Sequence, residues 1–314
     1  MYAHFRNYLS NRQQYVQINT SQSETDTITC GVPQGSVLGP LLFIIYTNDM
    51  PENLIRTKAI LFADDTTIFK SNKNLTELYQ FMNHDLKTLT DWFKANKLSL
   101  NTGKTNCILF KRNKNILNAH NNKLYLDNVE LSFATQTKFL GLIIDEYLEW
   151  DDHIKLCRNK ISSGIYAVNS LKHILSIGLL KTVYYSMIYP YISYGILLWG
   201  STYKRHLNTI AIQQKRAIRS INRGKYNDHT LPLFNNCGIL KLCEVYELQL
   251  NIFMYCHQNG LLPVPLRSIF TMNNEMHTHK TRKHEDPNIT SIQRIPNLVR
   301  PHPYRKQLAE TGVT

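Results

Sequence analysis

Two adjacent aspartates, Asp64 and Asp65, are the residues whose type and spacing suggest chemistry most directly. An apolar run precedes them at residues 59–63, and a β-branched and aromatic run follows at residues 66–69. This pattern predicts two short strands with the acidic pair at the tip of a hairpin. Two carboxylates so close repel each other by roughly 1 kcal/mol or more. A divalent cation, Mg²⁺ or Mn²⁺, would remove that repulsion, because both ions prefer oxygen ligands.

The same two residues have a simpler reading, since acidic pairs are common in solvated turns. Along a regular strand, neighbouring side chains point to opposite faces of the sheet. Asp64 and Asp65 can therefore converge on one ion only if a turn lies between the strands. The elements around the pair must decide between the two readings.

Strands and a glycine-containing loop are predicted before the acidic pair. Residues 15–18 and 27–30 alternate like two antiparallel strands, joined by a polar loop over residues 19–26. Residues 31–40 combine glycine, which lets the backbone approach a ligand, with proline, which fixes its path. Residues 41–49 are mostly apolar and predict a buried helix.

Helices dominate the prediction after the acidic pair. Apolar residues recur every three or four positions from Leu75 to Phe93, which predicts an amphipathic helix packed on a sheet. Residues 124–133 read as a hairpin and residues 137–145 as a strand, while helical periodicity begins at Trp150. The sequence thus predicts an α+β fold, in which an antiparallel sheet backed by helices precedes an all-helical region. We expect the acidic hairpin at the centre of that sheet, beside the early strands.

Charge and cysteine content limit the function classes. The net charge is +13; residues 201–314 hold 16 Lys and Arg against 7 Asp and Glu, and residues 1–200 hold 20 against 16. This imbalance predicts a polyanionic partner. The six cysteines are scattered without metal-ligand spacing, so neither structural zinc nor a disulfide framework is expected.

Targeting signals are not predicted. The amino-terminal residues lack the charged-then-apolar pattern of a signal peptide. The most apolar segment, residues 174–199, contains Lys181 and Pro190, which suits buried helices better than a transmembrane span. We therefore expect an intracellular protein, in the cytoplasm or nucleus, that does not enter a membrane.

Four blocks in fixed order resemble the palm domain of reverse transcriptases, and most closely that of jockey-like non-LTR retrotransposons. The blocks are Gly31–Asp49, the Asp64–Asp65 hairpin, Asn96–Thr105 and Phe139–Leu142. The resemblance implies a partial palm over residues 1–145 and a helical thumb and connection over residues 146–225. A carboxy-terminal helical extension over residues 226–270 and a basic, poorly ordered tail over residues 271–314 would follow.

The resemblance also implies roles for individual residues. Asp64 and Asp65 would be catalytic metal ligands, with Asp64 the firmer one, and Lys104 would protonate the leaving pyrophosphate unless it is simply solvated. The remaining candidates fall into two sets implied by the resemblance and one suggested by local charge. They are Pro33, Gln34, Gly35 and Ser36 for nucleotide and template binding; Phe139, Leu140 and Gly141 for gripping the primer; and Lys215, Arg216, Arg219 and Arg223 for the nucleic-acid backbone or a solvated face.

The function implied is RNA-directed DNA synthesis with an RNA template, a DNA primer and dNTPs. In this family a further aspartate, on a strand before the first helix, bridges both metal ions. We expect that strand, the fingers and the endonuclease of such elements to be missing from these 314 residues. The alternative function is therefore a catalytically inactive nucleic-acid-binding remnant. Whether Met1 is the biological start stays open.

Overall fold

The computed structural model describes residues 2–111, 122–267, 270–272 and 287–289. Packing divides the chain into two compact units, which are considered separately. Unit 1 consists of Met1–Cys107 and Leu117–Ser132, and unit 2 consists of Ile108–Ile116 and Phe133–Thr314. Most of the tail predicted over residues 271–314 lies outside the described residues.

Unit 1 contains three helices, two 3₁₀ turns and eight short strands in its described part. In chain order these are α1 (Tyr2–Leu9), β1 (Arg12–Gln14), β2 (Gln17–Ile18), β3 (Ser21–Gln22), β4 (Asp26–Ile28), α2 (Leu38–Thr47), a 3₁₀ helix (Met50–Asn53), β5 (Lys58–Phe62), β6 (Asp65–Phe69), α3 (Leu75–Ala95), a 3₁₀ helix (Thr102–Lys104), β7 (Tyr125–Leu126) and β8 (Val129–Glu130).

Helix α3 organises the packing of unit 1, and its amphipathic character confirms the sequence prediction. It begins after Asn74, whose side chain accepts a hydrogen bond from the Thr76 amide and so caps the first turn. One part of its apolar stripe, including Tyr79 and Leu86, packs with Leu124 and Leu126 of the β7–β8 hairpin region. The other part packs against the β5–β6 hairpin.

The expected single sheet is wrong for the described part of the chain. Strand β1 pairs with β4, β2 with β3, β5 with β6 and β7 with β8, each as a separate antiparallel pair. Strands β1 to β4 are almost entirely exposed, so they have no apolar face with which to join the acidic hairpin. Hydrophobic burial, which would favour one larger sheet, is therefore not available to them.

The register of the early strands also differs from the prediction. Ile18 lies opposite Ser21, so the connection is the two-residue turn Asn19–Thr20, whereas a loop over residues 19–26 was expected. Asn19 has a φ of 54°, a left-handed conformation that asparagine tolerates better than most residues. Local turn chemistry, which the alternation of polar and apolar residues does not report, sets this register.

The helix predicted as buried over residues 41–49 corresponds to α2, and the prediction of burial is wrong. Leu41, Ile44 and Ile45 are exposed by 51%, 55% and 63%. None of the described apolar clusters includes a side chain of α2. An apolar composition predicts burial only where another element supplies a complementary surface.

Unit 2 is the helical region that the sequence predicts. Its described elements are β9 (Gln136–Phe139), β10 (Leu142–Asp145), α4 (Asp151–Leu171), α5 (Ile177–Met187), α6 (Tyr189–Ser193), α7 (Ile196–Trp199), α8 (Lys204–Ile221), α9 (Thr230–Cys237), α10 (Leu242–Gln258), α11 (Val264–Arg267), β11 (Phe270–Met272) and β12 (Pro287–Ile289). The strand predicted over residues 137–145 is the β9–β10 hairpin. The α+β class is thus confirmed, with mixed helices and small antiparallel strand pairs.

Fully buried side chains on α4, α5, α7 and α8 form the core of unit 2. They include Ile161, Tyr184, Trp199 and Ile218, each with 0% exposure. Among the described residues, no helix combines the length and apolar character needed to cross a membrane. The segment rich in apolar residues at 174–199 instead forms α5, α6 and α7, which pack in this core.

Candidate active site

The acidic pair lies at the tip of the β5–β6 hairpin, as the sequence predicts. Phe62 pairs with Asp65, so the connection is the two-residue turn formed by Ala63 and Asp64. Ala63 has a φ of 52°, a left-handed conformation that costs a non-glycine residue roughly 1 kcal/mol. Because Asp64 lies in the turn and not in a strand, strand alternation does not force its side chain to the face opposite Asp65.

The two faces of this hairpin differ. Ala59, Leu61 and Ile68 pack against a cluster that contains Met50, Leu54, Leu89 and Trp92. On the other face, Ile60, Phe62 and Phe69 are exposed by 46%, 60% and 45%. Asp65 lies on that open face, because it pairs with Phe62 across the hairpin. Side chains alternate along β6, so Ile68, three positions later, lies on the packed face. The hairpin thus presents a carboxylate next to an uncovered apolar surface.

Both carboxylates are available to a ligand. Asp64 and Asp65 are exposed, and within the described part of the chain neither forms an ion pair or a side-chain hydrogen bond. In those same residues, no group of three or more His, Cys, Asp or Glu side chains is placed to hold a metal ion. Two free carboxylates nevertheless fit Mg²⁺, which is commonly held by one or two of them together with substrate phosphates.

Asp85 anchors the base of the hairpin, and sequence reasoning missed it. This side chain on α3 has 0% exposure. Its Oδ2 accepts hydrogen bonds from the Arg56 amide at 2.9 Å, the Thr57 amide at 2.7 Å and the Thr57 hydroxyl at 2.8 Å. Its Oδ1 lies 3.0 Å from Nδ1 of His84. An acidic residue within an otherwise apolar helical stripe was the signal that could have identified it.

The pKa of the Asp85 carboxyl is lower than its ordinary value. Burial acts to raise the pKa, but hydrogen bonds from His84, from the Thr57 hydroxyl and from two backbone amides outweigh burial. The carboxylate is therefore ionised at neutral pH, and it fixes the start of β5 to α3.

The glycine-containing loop that precedes α2 is tied to the early elements by two residues that the sequence did not single out. The Tyr8 hydroxyl donates to Oγ of Ser36, which also accepts a hydrogen bond from the Gly39 amide at 3.1 Å. The Arg12 guanidinium donates to the backbone carbonyls at the start of the loop. Gly35 itself has a φ of 79°, and a Cβ added there would meet no heavy atom within 4 Å. Its backbone is therefore open to a ligand.

The side chains of the other nucleotide-site candidates are exposed. Pro33 and Gln34 are exposed in the same loop. Lys104 is the last residue of the 3₁₀ helix Thr102–Lys104, which Asn101 precedes. The Asn101 side chain accepts a hydrogen bond from the Lys104 amide at 3.1 Å. The Lys104 side chain is exposed and forms no ion pair within the described ranges. Asp64, Asp65, Lys104 and the 33–36 loop all belong to unit 1.

The proposed primer-gripping turn belongs to unit 2. Leu140 and Gly141 connect β9 to β10 and have φ values of 45° and 86°, as in the tight turns that suit β-hairpins. The Tyr194 hydroxyl donates a hydrogen bond to the Leu140 carbonyl, and a Cβ on Gly141 would lie 3.4 Å from the Tyr194 ring. Tyr194, which sequence reasoning missed, therefore fixes this turn against the start of α7. Phe139 lies half-buried just before the turn.

Of the four candidate cations for the nucleic-acid backbone, three lie on α8, and Arg223 follows the end of that helix. Arg216 and Arg219 line a groove with Tyr166 and Tyr226, whose side chains are exposed by 75% and 77%. Lys215 lines a separate cavity on the other side of the helix. Arg223 donates to the backbone carbonyls of Lys172 and Leu175 at 3.0 Å, which closes the turn after α4.

Comparison with known proteins identifies the family. Residues 3–144 match the model of the family described as reverse transcriptase (RNA-dependent DNA polymerase). A probable RNA-directed DNA polymerase from transposon BS of Drosophila melanogaster is 31% identical over 72% of this chain and 26% of that protein. The polymerases of the X-element and of the mobile element jockey, from the same organism, are each 24% identical. Those matches cover 77% and 83% of this chain.

The chain spans between 26% and 30% of the length of these three curated relatives. No solved structure matches the chain. The matched family segment contains the glycine-containing loop and the acidic hairpin with its exposed carboxylates. The chain therefore belongs to the reverse transcriptase family, in the group carried by non-LTR retrotransposons.

Proposed function

We propose that this chain acts in an RNA-directed DNA polymerase that extends a DNA primer on an RNA template. In this reaction the primer 3′-hydroxyl attacks the α-phosphate of a dNTP, and pyrophosphate leaves. The observation that carries the proposal is the exposed Asp64–Asp65 pair at a tight hairpin tip inside the family segment. The +9 excess of basic residues in 201–314 supports a nucleic-acid partner.

Asp64 and Asp65 would hold the divalent cation, Mg²⁺ or Mn²⁺. When bound, such an ion stabilises negative charge that develops on the phosphoryl oxygens. Their lack of ion-pair partners in the described residues favours this role, because no lysine or arginine has to be displaced first. The tight turn fixes the backbone at both residues before any ligand binds, which lowers the entropic cost of binding.

The loop of Pro33, Gln34, Gly35 and Ser36 would contact the incoming nucleotide and the template base. Gly35 leaves the backbone uncovered, and the Tyr8 and Gly39 contacts hold Ser36 in place. The exposed Lys104 ammonium would donate a proton to the leaving pyrophosphate.

Residues 1–145 would form part of the palm, with the Phe139–Gly141 turn gripping the primer. Residues 146–225 would form the thumb and connection, residues 226–270 an extension and residues 271–314 a basic tail. The helical character of unit 2 supports the middle two assignments. An RNA template and a DNA primer place this function in the cytoplasm or nucleus.

Template-directed DNA synthesis tests the proposal. Two polypeptides are assayed, the 314-residue chain and a chimera that carries the upstream part of a jockey polymerase before residue 1. We expect the chimera to extend a DNA primer on RNA, with the order of dNTP incorporation set by the template and lost on chelation of divalent cations. The 314-residue chain is expected to be inactive alone, because its described residues bring no third carboxylate to Asp64 and Asp65, and two carboxylates hold the metal more weakly than three. A folded chimera without template-directed synthesis would refute the function.

Binding to nucleic acid should depend on Arg216 in a salt-dependent manner. Each neutralised phosphate releases counterions and contributes about 0.9 to the slope of log K against log salt concentration. We expect Arg216→Gln to reduce that slope by about 1 for an RNA–DNA duplex, measured by fluorescence anisotropy over a salt series. Arg223→Gln is the matched control, since the Arg223 guanidinium is engaged by backbone carbonyls. An equal reduction in both variants would contradict the assignment.

A further inference from the structure

A cavity in unit 2 lies among α7, α8, α9 and α10, of which the first two fall in the region proposed as thumb and connection. Its volume is about 560 Å³, within the range of small-molecule sites. The beginnings of three helices contribute to its wall: Tyr203 and Lys204 at the start of α8, His229 and Thr230 at α9, and Leu242 at α10. The positive ends of three helix dipoles therefore meet at one cavity.

Two of these helix ends have no side chain that caps them. Tyr203 precedes α8 and His229 precedes α9, and neither side chain accepts a hydrogen bond from the first turn. Amide groups at such ends are available to an anion. Helix α10 differs, because its Lys241 and Glu244 form a reciprocal cap. The cavity is thus lined by the starts of two helices that no side chain caps.

Lysine side chains add charge to the same cavity. Lys204, Lys215 and Lys241 all line it, and no acidic side chain occurs among its described lining residues. Lys241 is paired with Glu244 at 2.8 Å. Lys204 and Lys215 are exposed and form no ion pair in the described part of the chain. Lys204, at the start of α8, therefore remains to neutralise a phosphate there, whereas Lys215 lies about 16 Å further along the same helix.

A buried hydroxyl also lies at this cavity without a partner. Oγ of Ser201 is shielded from solvent and has no hydrogen-bond partner among the described residues, although Ser201 lines the cavity. An unsatisfied buried hydroxyl is costly, and because this oxygen is shielded from solvent, a ligand in the cavity would satisfy it only after the Ser201 side chain rotates into the cavity. Gly200, next to Ser201, lets the backbone pack closely against Tyr246, because a Cβ at this position would lie 2.5 Å from the Tyr246 ring.

The remaining wall is apolar and aromatic. Leu207, Ala211, Phe234 and Leu242 face the cavity together with Tyr203. A flat, weakly polar ring can lie against such a surface, as nucleobases do in other proteins. The site therefore combines a place for an anion with a place for a ring.

We propose that this cavity binds a nucleoside phosphate, with the phosphate at Lys204 and the starts of α8 and α9, and the base against the apolar wall. The ligand is either a free nucleotide or a terminal, unpaired nucleotide of a nucleic-acid strand. The inference rests on the proposed function only in that the polymerase reaction brings nucleic acid to the protein. The cavity is lined by residues of unit 2, whereas the acidic hairpin belongs to unit 1, so the two proposals concern different residues.

Alkylation of Cys243 provides a local measurement. Cys243 lines the cavity, while Cys256 lies on the same helix, outside the cavity and with similar partial exposure. Burial raises the pKa of the Cys243 thiol, so its alkylation is slow enough to follow by mass spectrometry. The rates at both cysteines are measured on the full chain, in EDTA, with AMP, a 5′-phosphorylated hexanucleotide, adenosine, inorganic phosphate or an acidic peptide.

We expect AMP or the hexanucleotide to slow alkylation at Cys243 at least about fivefold and to leave Cys256 unchanged, with adenosine and phosphate each weaker. Protection by AMP identifies a free nucleotide, and protection only by the hexanucleotide identifies a strand end. Protection by the acidic peptide alone, or equal slowing at both cysteines, would overturn the proposal.

Variants separate a specific site from general attraction. Lys204→Gln should raise the half-protecting ligand concentration about tenfold, and Lys215→Gln, about 16 Å further along α8, should raise it less. Ala211→Leu should block protection by filling the cavity without changing charge. Lys160→Gln is the matched control, because Lys160 is an exposed lysine of α4 outside the cavity. Circular dichroism confirms that each variant is folded, and a folded Ala211→Leu variant with normal protection would overturn the proposal.

The two proposals fail separately. Loss of template-directed synthesis with intact Cys243 protection would refute the polymerase function and keep the second site. Synthesis that proceeds normally while no ligand protects Cys243 would refute the second site and keep the polymerase function.

Discussion

Asp64→Asn should abolish primer extension in the active polypeptide, whether that is the chimera or the 314-residue chain. The substitution removes a carboxylate charge from the hairpin tip and leaves the shape of the side chain unchanged. Loss of metal stabilisation of phosphoryl charge costs several kcal/mol, which corresponds to a rate reduction on the order of 1,000-fold or more. We expect Asp65→Asn to reduce the rate less, since Asp64 is the firmer proposed ligand.

The structure makes this test interpretable. Asp64 is exposed in a two-residue turn, and asparagine is well suited to such turns. Asp91→Asn is the matched control: it makes the same change in charge at an exposed position of α3, in the same unit. Single-turnover primer extension on RNA measures the rate, and electron paramagnetic resonance of Mn²⁺ measures metal binding. Retention of more than a tenth of the rate in folded Asp64→Asn would exclude Asp64 as a metal ligand.

Asp85→Ala should destabilise unit 1 more than any other single change considered. Three donors that converge on Oδ2 would lose their acceptor, in a place that solvent does not reach. Each buried donor left without a partner costs about 1–3 kcal/mol, so we expect a loss of at least about 3 kcal/mol in the free energy of unfolding. Asp85→Asn keeps an oxygen for these donors and should cost about 1 kcal/mol.

The stability difference should depend on pH in a defined direction. Because the pKa of Asp85 is lowered in the folded protein, its stabilising effect is fully present above the unfolded-state pKa of about 3.9. It is lost as the pH falls through the lower folded-state pKa. Asp85→Asn, which cannot titrate, should therefore show a smaller decline in stability below about pH 4.

Fluorine NMR of 5-fluorotryptophan can follow unit 1 by itself in urea. The chain has three tryptophans, of which Trp92 lies in unit 1 and Trp150 and Trp199 lie in unit 2. Trp92 packs in the cluster that contacts the acidic hairpin. The Trp92 resonance should shift to the unfolded position at lower urea in Asp85→Ala, while the other two resonances serve as internal controls. Equal urea midpoints for Asp85→Ala and the unsubstituted chain would contradict the anchoring role.

The sequence alone determined the family, the acidic hairpin, α3 and the helical nature of the second half. Each of these depends on short-range patterns: an apolar run broken by Asp64–Asp65, and apolar residues at helical spacing from Leu75 to Phe93. Such patterns involve residues that are close in the sequence, so they can be recognised without knowledge of the fold. The relatives that match over most of the chain confirm the family.

Only the tertiary structure decided which elements pair and which surfaces are covered. The exposure of Ile44 and Ile45 on α2 and the separation of β1–β4 from the β5–β6 hairpin depend on contacts between distant segments. The same holds for two hydrogen bonds between distant residues. The Tyr194 hydroxyl donates to the Leu140 carbonyl 54 positions earlier, and the Asp85 carboxylate accepts from the Thr57 amide 28 positions earlier. Burial and hydrogen bonding at such separations follow from the packed chain, because apolar periodicity states which face is buried but not against what.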